Sequence, residues 1–177
     1  PQGLQGPQGP AGDKGAAGAS GSATTTSALA INVSALAEKL LPSVVSISVK
    51  TATGSGTGSG SIFQSGTSLS YVLTNNHVIT GATKVTVELE DGSEIDGQVV
   101  GFDTAYDLAV VLIKQGNLPT VTFGDSSKMR IGEPVVAIGS PLGLSGTVTS
   151  GIISALHRPV TTGGTGSEAY IDALQTD

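Results

Sequence analysis

The sequence predicts an all-β fold, a sandwich or a barrel, for most of the 177 residues. Short segments rich in valine, isoleucine and threonine recur along the chain, and glycine, proline or Asp-Gly turn signals separate them. Lys84 to Glu90 has the clearest strand pattern, because Val85, Val87 and Leu89 alternate with polar residues. Helical periodicity is nearly absent, which leaves the two all-β architectures open.

The predicted elements follow one another at short intervals. A helix at Ala35 to Leu41 is ended by Pro42. Strands are predicted at residues 43–50, 61–64, 70–74, 84–90, 94–102, 107–113, 133–138 and 145–155, and a last one begins near residue 169. Asp91-Gly92 is a hairpin-turn signal. Gly54 to Gly60 alternates glycine with serine and threonine without a following Lys-Ser/Thr pair, so it is predicted as a flexible loop rather than a phosphate-binding loop.

The first 21 residues repeat with a period of three. Glycine occupies every third position without a miss, at Gly3, Gly6, Gly9, Gly12, Gly15, Gly18 and Gly21. This is the collagen pattern, in which only glycine fits the crowded axis of three polyproline-like chains, and a flexible linker is the alternative. The sequence therefore predicts a collagen-like segment at 1–21, a Ser/Thr/Ala-rich linker at 22–34 and one globular domain at 35–177.

Composition and charge exclude several kinds of site. A net charge of −6 argues against a nucleic-acid partner, which requires a basic surface. With no cysteine and two histidines, the chain has no disulfide framework or thiolate metal site, and we expect neither a metal nor a cofactor. The longest aliphatic run, Leu108 to Ile113, is too short to span a membrane. Because the chain starts at Pro1 rather than Met, an upstream signal peptide or membrane anchor stays open.

Two segments carry candidate catalytic residues. In Tyr71 to Ala82, a predicted strand runs into His77, which places an imidazole at the rim of a sheet. In Ala105 to Lys114, Asp107 opens an apolar strand, so its carboxylate lies either at a solvated edge or buried with a partner. The 30 residues between them allow a hairpin and a return strand to bring Asp107 beneath His77, where it would orient the imidazole. A structural role is the alternative for a lone histidine.

Five segments frame this pair in a characteristic order. They are Thr74-Asn-Asn-His77-Val-Ile, Asp107-Leu-Ala-Val, Gly132-Glu-Pro-Val-Val-Ala-Ile-Gly-Ser-Pro-Leu-Gly143, Thr147-Val-Thr-Ser-Gly-Ile-Ile-Ser-Ala155 and Gln175-Thr-Asp177. Their sequences and spacing, over about residues 36 to 177, resemble those of the HtrA (Deg, DegP-like) family of trypsin-like serine proteases. The resemblance implies a chymotrypsin-type double β-barrel, with His77 as the general base and Asp107 as the carboxylate that orients it.

In that family the Gln-Thr-Asp segment is followed by a Gly-Asn-Ser-Gly-Gly loop, which supplies the nucleophile and the oxyanion hole. The loop is not within residues 1–177. We therefore expect a fragment that lacks the nucleophilic serine, has a truncated second barrel and is inactive by itself. Ser140 is expected in the connection between the barrels rather than as a nucleophile. His157 is expected in a surface loop, and Asp91, Asp96 and Asp103 in turns or solvated positions.

The resemblance implies an ATP-independent serine endopeptidase that cleaves unfolded or misfolded proteins through an acyl-enzyme. It implies an extracytoplasmic location, in the periplasm, at the cell surface or secreted. A C-terminal PDZ domain is a further expectation from the family. Collagen repeats and HtrA proteases both form trimers, so a homotrimer is expected. The alternative is a collagen-like surface adhesion or structural protein with an inactive protease-like head, and a plain all-β binding domain fits the ordered His and Asp motifs poorly.

Overall fold

A computed structural model describes residues 32–140, 146–162 and 169–177 of the chain. The predicted collagen-like repeat and most of the predicted linker lie outside the described residues. Helix α1, Val33–Leu40, begins two residues before the predicted start, because Asn32 caps it by accepting a hydrogen bond from the Ala35 amide at 3.0 Å. A 3₁₀ turn at Leu41–Ser43, with proline at its second position, ends the helix and leads into the first strand.

Nine strands follow this helix in the described ranges, together with a second short helix, α2, at Asn76–Ile79 and a 3₁₀ turn at Ser126–Lys128. The strands are β1 Val44–Thr51, β2 Ser55–Ser65, β3 Ser70–Thr74, β4 Ala82–Glu88, β5 Glu94–Asp103, β6 Leu108–Ile113, β7 Pro134–Gly139, β8 Thr147–Thr162 and β9 Ala169–Thr176. Within the described residues no helix is long and apolar enough to cross a membrane.

The first six strands form a closed antiparallel barrel in the order β1-β2-β3-β6-β5-β4. Strands β7, β8 and β9 form a separate three-stranded antiparallel sheet. The prediction of an all-β barrel is therefore confirmed. Alternate aliphatic side chains of the six strands fill the barrel, as the period-two pattern requires. Those buried most completely are Ile47, Ile62, Val72, Val87, Val111 and Ile113, each with no exposed surface.

The prediction of a flexible loop at Gly54 to Gly60 was wrong. Most of this run belongs to β2, and Ser55 to Gly60 pairs residue by residue with β1. Packing explains the glycines. A Cβ atom on Gly60 would lie 2.6 Å from Cγ1 of Val72 and 2.9 Å from Cδ1 of Ile47, well inside van der Waals contact. Glycine here permits close approach within the barrel and does not signal flexibility.

Candidate active site

His77 lies on α2, immediately after the end of β3. Thr74 is the last residue of β3, Asn75 is extended, and the four-residue helix starts at Asn76. Gly81, with a φ of +71°, lets the chain turn from this helix into β4. The His77 side chain is 56% exposed, so a molecule arriving from solvent can reach the imidazole.

Asp107 lies in the turn between β5 and β6, directly before Leu108 opens β6. Its side chain is only 6% exposed. Strand β6 pairs with β3 in a register that sets Ala109 opposite Thr74. That register places Asp107, two residues before Ala109, beside the chain that follows Thr74, and it is this pairing that brings the two predicted site residues together.

Asp107 binds His77 through both carboxylate oxygens. The distance between Oδ2 and Nδ1 of the imidazole is 2.7 Å, and Oδ1 accepts a hydrogen bond from the His77 backbone amide at 2.8 Å. An ionised carboxylate has no proton to donate, so when Asp107 is ionised and the imidazole is neutral, Nδ1 is the donor in this bond and Nε2 is left as the acceptor. Within the described ranges, no serine hydroxyl forms a hydrogen bond with the His77 ring.

The backbone carbonyl of Asp107 is bound by the two residues that precede His77. The Asn76 amide donates to it at 3.1 Å, and the side-chain amide of Asn75 donates at 3.0 Å. These bonds hold Asp107 at a φ of +54°, a left-handed conformation that costs a non-glycine residue roughly 1–3 kcal/mol. Three consecutive residues, 75 to 77, thus hold the carbonyl and both carboxylate oxygens of Asp107. Sequence reasoning missed Asn75, although its amide stands two residues before the histidine.

The other sequence candidates lie elsewhere. His157 lies at the surface, as predicted, but the prediction of a loop was wrong, because it belongs to β8, where a φ of +55° accompanies a shift in register against β9. The Nδ1 atom of His157 lies 2.8 Å from Oδ2 of Asp172, but both side chains are largely exposed. Ser140 directly follows β7 and is buried, and its amide donates to the hydroxyl of Ser59 at 2.8 Å.

The three remaining aspartates are exposed, as predicted. Asp91 accepts from the hydroxyl and amide of Ser93, which hold the pKa of Asp91 below its usual value. Asp96, on β5, binds Lys84 at 2.9 Å, and this contact raises the pKa of the lysine. Asp103 accepts from backbone amides in the β5–β6 turn. In the part of the chain that the structure describes, no group of three or more His, Cys, Asp or Glu side chains is arranged to hold a metal ion.

Known proteins share this architecture. Residues 58–177 match the trypsin-like peptidase domain family. The chain belongs to this family. Its peptidase domain is of the HtrA (DegP-like) type. It is 45% identical over 166 residues to the serine protease Do-like HtrB of Bacillus subtilis, covering 84% of this chain and 36% of that protein. It is 42% identical over 158 residues to the serine protease PepD of Mycobacterium tuberculosis, covering 82% of this chain and 33% of that protein.

A solved structure of an HtrA-type protease, AlgWS227A with a tripeptide, superposes on the peptidase domain with a TM-score of 0.70. The two chains are 38% identical, and the match covers 82% of this chain and 46% of the other. The chain thus spans about a third of the length of the two curated proteases and just under half of the solved one.

Proposed function

We propose that this protein is a serine endopeptidase of the HtrA type in which His77 is the general base and Asp107 orients it. The 2.7 Å hydrogen bond between a buried carboxylate and Nδ1 of an exposed imidazole carries the proposal. This arrangement leaves Nε2 free to take a proton from a hydroxyl, which is what nucleophilic catalysis by serine requires. A base that must meet a large substrate has to be reachable from solvent, and more than half of the His77 side chain is exposed.

The proposed reaction has two halves. Nε2 of His77 accepts the proton of a serine hydroxyl as that oxygen attacks the peptide carbonyl, and Asp107 stabilises the imidazolium. The imidazolium then protonates the leaving amine, an acyl-enzyme remains, and water activated by the same base releases the acid. We assign the serine to a residue that is not among residues 1–177. In proteases of this type it belongs to a Gly-Asn-Ser-Gly-Gly loop that follows a Gln-Thr-Asp segment such as Gln175 to Asp177.

We further propose unfolded proteins or peptides as substrates, an extracytoplasmic location and a homotrimeric assembly. Relatives from Haemophilus influenzae and Halomonas elongata are named periplasmic proteases, and the solved relatives AlgW and its S227A variant hold a tripeptide or a decapeptide. The glycine repeat of residues 1–21 would trimerise if it forms a triple helix, and a trimeric stalk matches a trimeric head in symmetry. Sedimentation of the full-length protein as a monomer would rule out the trimer.

The proposed activity is tested by cleavage of a dye-labelled, unfolded protein by the full-length protein. We expect His77→Ala to abolish cleavage, because the serine then has no base. His157→Ala is the matched control, since His157 has a similar bond to an aspartate but an exposed one, and it should retain full activity. The 177-residue chain by itself should not cleave the substrate. Cleavage by His77→Ala at the unmodified rate would refute the assignment.

A further inference from the structure

The helix that carries His77 is too short to hold its own position. A four-residue helix has little intrinsic stability in water, so the location of α2 depends on what it packs against. Its half-buried residue Val78 packs against the barrel core. The place where α2 meets the barrel therefore influences where the neighbouring imidazole lies.

Val78 rests on Gly58 of β2. A Cβ atom on Gly58 would lie 2.5 Å from Cγ2 of Val78, 2.7 Å from Cγ1 and 3.3 Å from its Cβ. Real Cβ atoms essentially never come within 3.0 Å of such neighbours, so any side chain at position 58 would force a shift at this contact. Valine has one strongly preferred rotamer in a helix, so its side chain has little freedom to turn away and the shift passes to α2 or β2. Because Gly58 has no side chain, Val78 can pack directly against β2, and this contact sets the distance between α2 and β2.

The next residue of β2, Ser59, holds the other end of the same segment. Its carbonyl accepts a hydrogen bond from Oγ1 of Thr74 at 2.8 Å, and its hydroxyl accepts from the Ser140 amide at 2.8 Å. Thr74 precedes His77 by three residues and Val78 follows it by one. Gly58 and Ser59 thus contact the segment that carries the imidazole on both sides of His77, and Ser59 links it to Ser140, the residue that follows β7.

We propose that Gly58 is a positioning residue: by giving Val78 room to seat against β2, it sets the distance between Nδ1 of His77 and the Asp107 carboxylate. Asp107 is held by the β5–β6 turn and the β3–β6 register as well as by its hydrogen bonds to residues 75 to 77, whereas the position of the His77 ring depends on α2 alone. A shift of α2 by several tenths of an ångström stretches a 2.7 Å hydrogen bond toward the limit at which such bonds weaken. The effect on turnover rests on the proposed function, whereas the effect on the hydrogen bond does not.

A purely structural need for glycine is the competing explanation, and the chain supplies controls for it. On the same strand, a Cβ on Gly60 would collide with Val72 and Ile47 in the core, so Gly60→Ala disturbs the barrel without touching α2. Gly54 has no neighbour within 4 Å of its Cβ position, so Gly54→Ala should change nothing. The double variant Gly58→Ala/Val78→Ala removes the two methyl groups of Val78 that the new Cβ would meet, so α2 should return to its original position against β2.

The first readout is the low-field proton NMR resonance of Nδ1–H of His77 in the 177-residue chain, which reports the hydrogen bond to Asp107 directly. We expect Gly58→Ala to shift this resonance and broaden it by exchange with water, and Gly58→Ala/Val78→Ala to return it to its original position. Gly60→Ala should lower the melting temperature and leave the resonance in place. An unchanged resonance in Gly58→Ala, or an equal change in Gly60→Ala, would overturn the proposal.

If Gly58→Ala is too unstable for spectroscopy, Val78→Ala alone tests the same contact. Without the Val78 methyl groups α2 packs less tightly against β2, so the Nδ1 proton of His77 should exchange faster with water. A sharp, unshifted resonance in Val78→Ala would overturn the proposal. The second readout is kinetic. In the full-length protein we expect Gly58→Ala to lower kcat by about 10- to 100-fold with KM nearly unchanged, and the double variant to recover most of it. A shifted resonance in a protein that shows no peptidase activity in any form supports the role of Gly58 and refutes the proposed function.

Discussion

The side-chain amide of Asn75 donates a 3.0 Å hydrogen bond to the backbone carbonyl of Asp107. This bond joins the chain that leads into α2 to the turn that leads into β6, 32 residues apart in sequence. It acts on the backbone of Asp107. That backbone has a φ of +54°, a left-handed conformation that a non-glycine residue does not favour by itself. Asn75 therefore influences the imidazole indirectly, by fixing the residue that orients it.

Replacing Asn75 by alanine should lower kcat of the full-length protein about tenfold and leave KM nearly unchanged, because Asp107 then relaxes and the imidazole is oriented less well. The loss of one hydrogen bond should cost about 0.5–1.5 kcal/mol of unfolding free energy. Asn117→Ala is the matched control. The Asn117 amide also donates to a backbone carbonyl, that of Thr67, and its φ is +56°. Asn117→Ala should lose at least as much stability as Asn75→Ala and keep its kcat. An equal loss of kcat in the two variants would contradict the role of Asn75.

Most of the barrel could be predicted from sequence, because one face of each strand is buried and the pattern records it. Val85 and Val87 alternate with polar residues because they point into the barrel. The spacing of His77 and Asp107 was informative for a similar reason, since a hairpin and its return strand fix which strand ends become neighbours. The pattern of side chains along the sequence therefore predicts structure wherever the contact is made by a buried side chain.

Gly58, Asn75 and His157 mark where this information ends. At Gly58 the absence of a side chain is what allows Val78 to pack against β2. In the sequence, a glycine required for close packing looks the same as a glycine in a flexible loop. The partner of Asn75 is a carbonyl that comes near only after β3 and β6 pair. His157 adopts a left-handed conformation inside a long strand, which local propensity does not predict.

The barrel core makes a direct prediction about stability. Ile47 has no exposed surface and lies among the buried aliphatic residues of the barrel, so Ile47→Ala leaves a cavity and should cost about 2–5 kcal/mol of unfolding free energy. Ile131 is 66% exposed, and Ile131→Ala should change stability by less than about 0.5 kcal/mol. Unfolding in guanidinium chloride measures both values. Similar losses for the two variants would show that Ile47 is not packed as described.

The turn at Ser126–Lys128 predicts a pH effect. The pKa of Asp125 lies below its ordinary value, first because the Ser127 hydroxyl donates to Oδ1 at 2.6 Å, and then because of Lys128 and the Ser127 amide. Because the pKa of the Asp125 carboxyl is lower in the folded protein than in the unfolded chain, the ionised carboxylate stabilises the fold at any pH above its pKa in the unfolded chain. This contribution disappears as the pH falls through the pKa that the carboxyl has in the folded protein. Ser127→Ala should raise the Asp125 pKa in an NMR titration of its carboxyl carbon. Ser126→Ala is the control and should leave it unchanged, so an equal rise would contradict the assignment.

The bond between Asp107 and His77 leads to the sharpest kinetic prediction. Oδ1 accepts from the His77 amide, so in Asp107→Asn the new carbonyl oxygen should take that position and the new NH₂ group should face Nδ1. Nδ1 must then accept a hydrogen bond, which moves the ring proton to Nε2 and removes the base. We expect kcat of the full-length protein to fall by about 10⁴-fold with little change in KM.

Nitrogen-15 NMR of the His77 ring in the 177-residue chain should show the exchanged tautomer in Asp107→Asn, independently of any activity. Asp172→Asn, made at the exposed partner of His157, is the matched control and should leave kcat unaltered. A fall in kcat of less than about tenfold in Asp107→Asn, together with a changed tautomer, would mean that His77 does not act as the base. A ring that keeps its proton on Nδ1 would mean instead that the asparagine is oriented with its carbonyl toward the imidazole, contrary to the two hydrogen bonds that Asp107 makes.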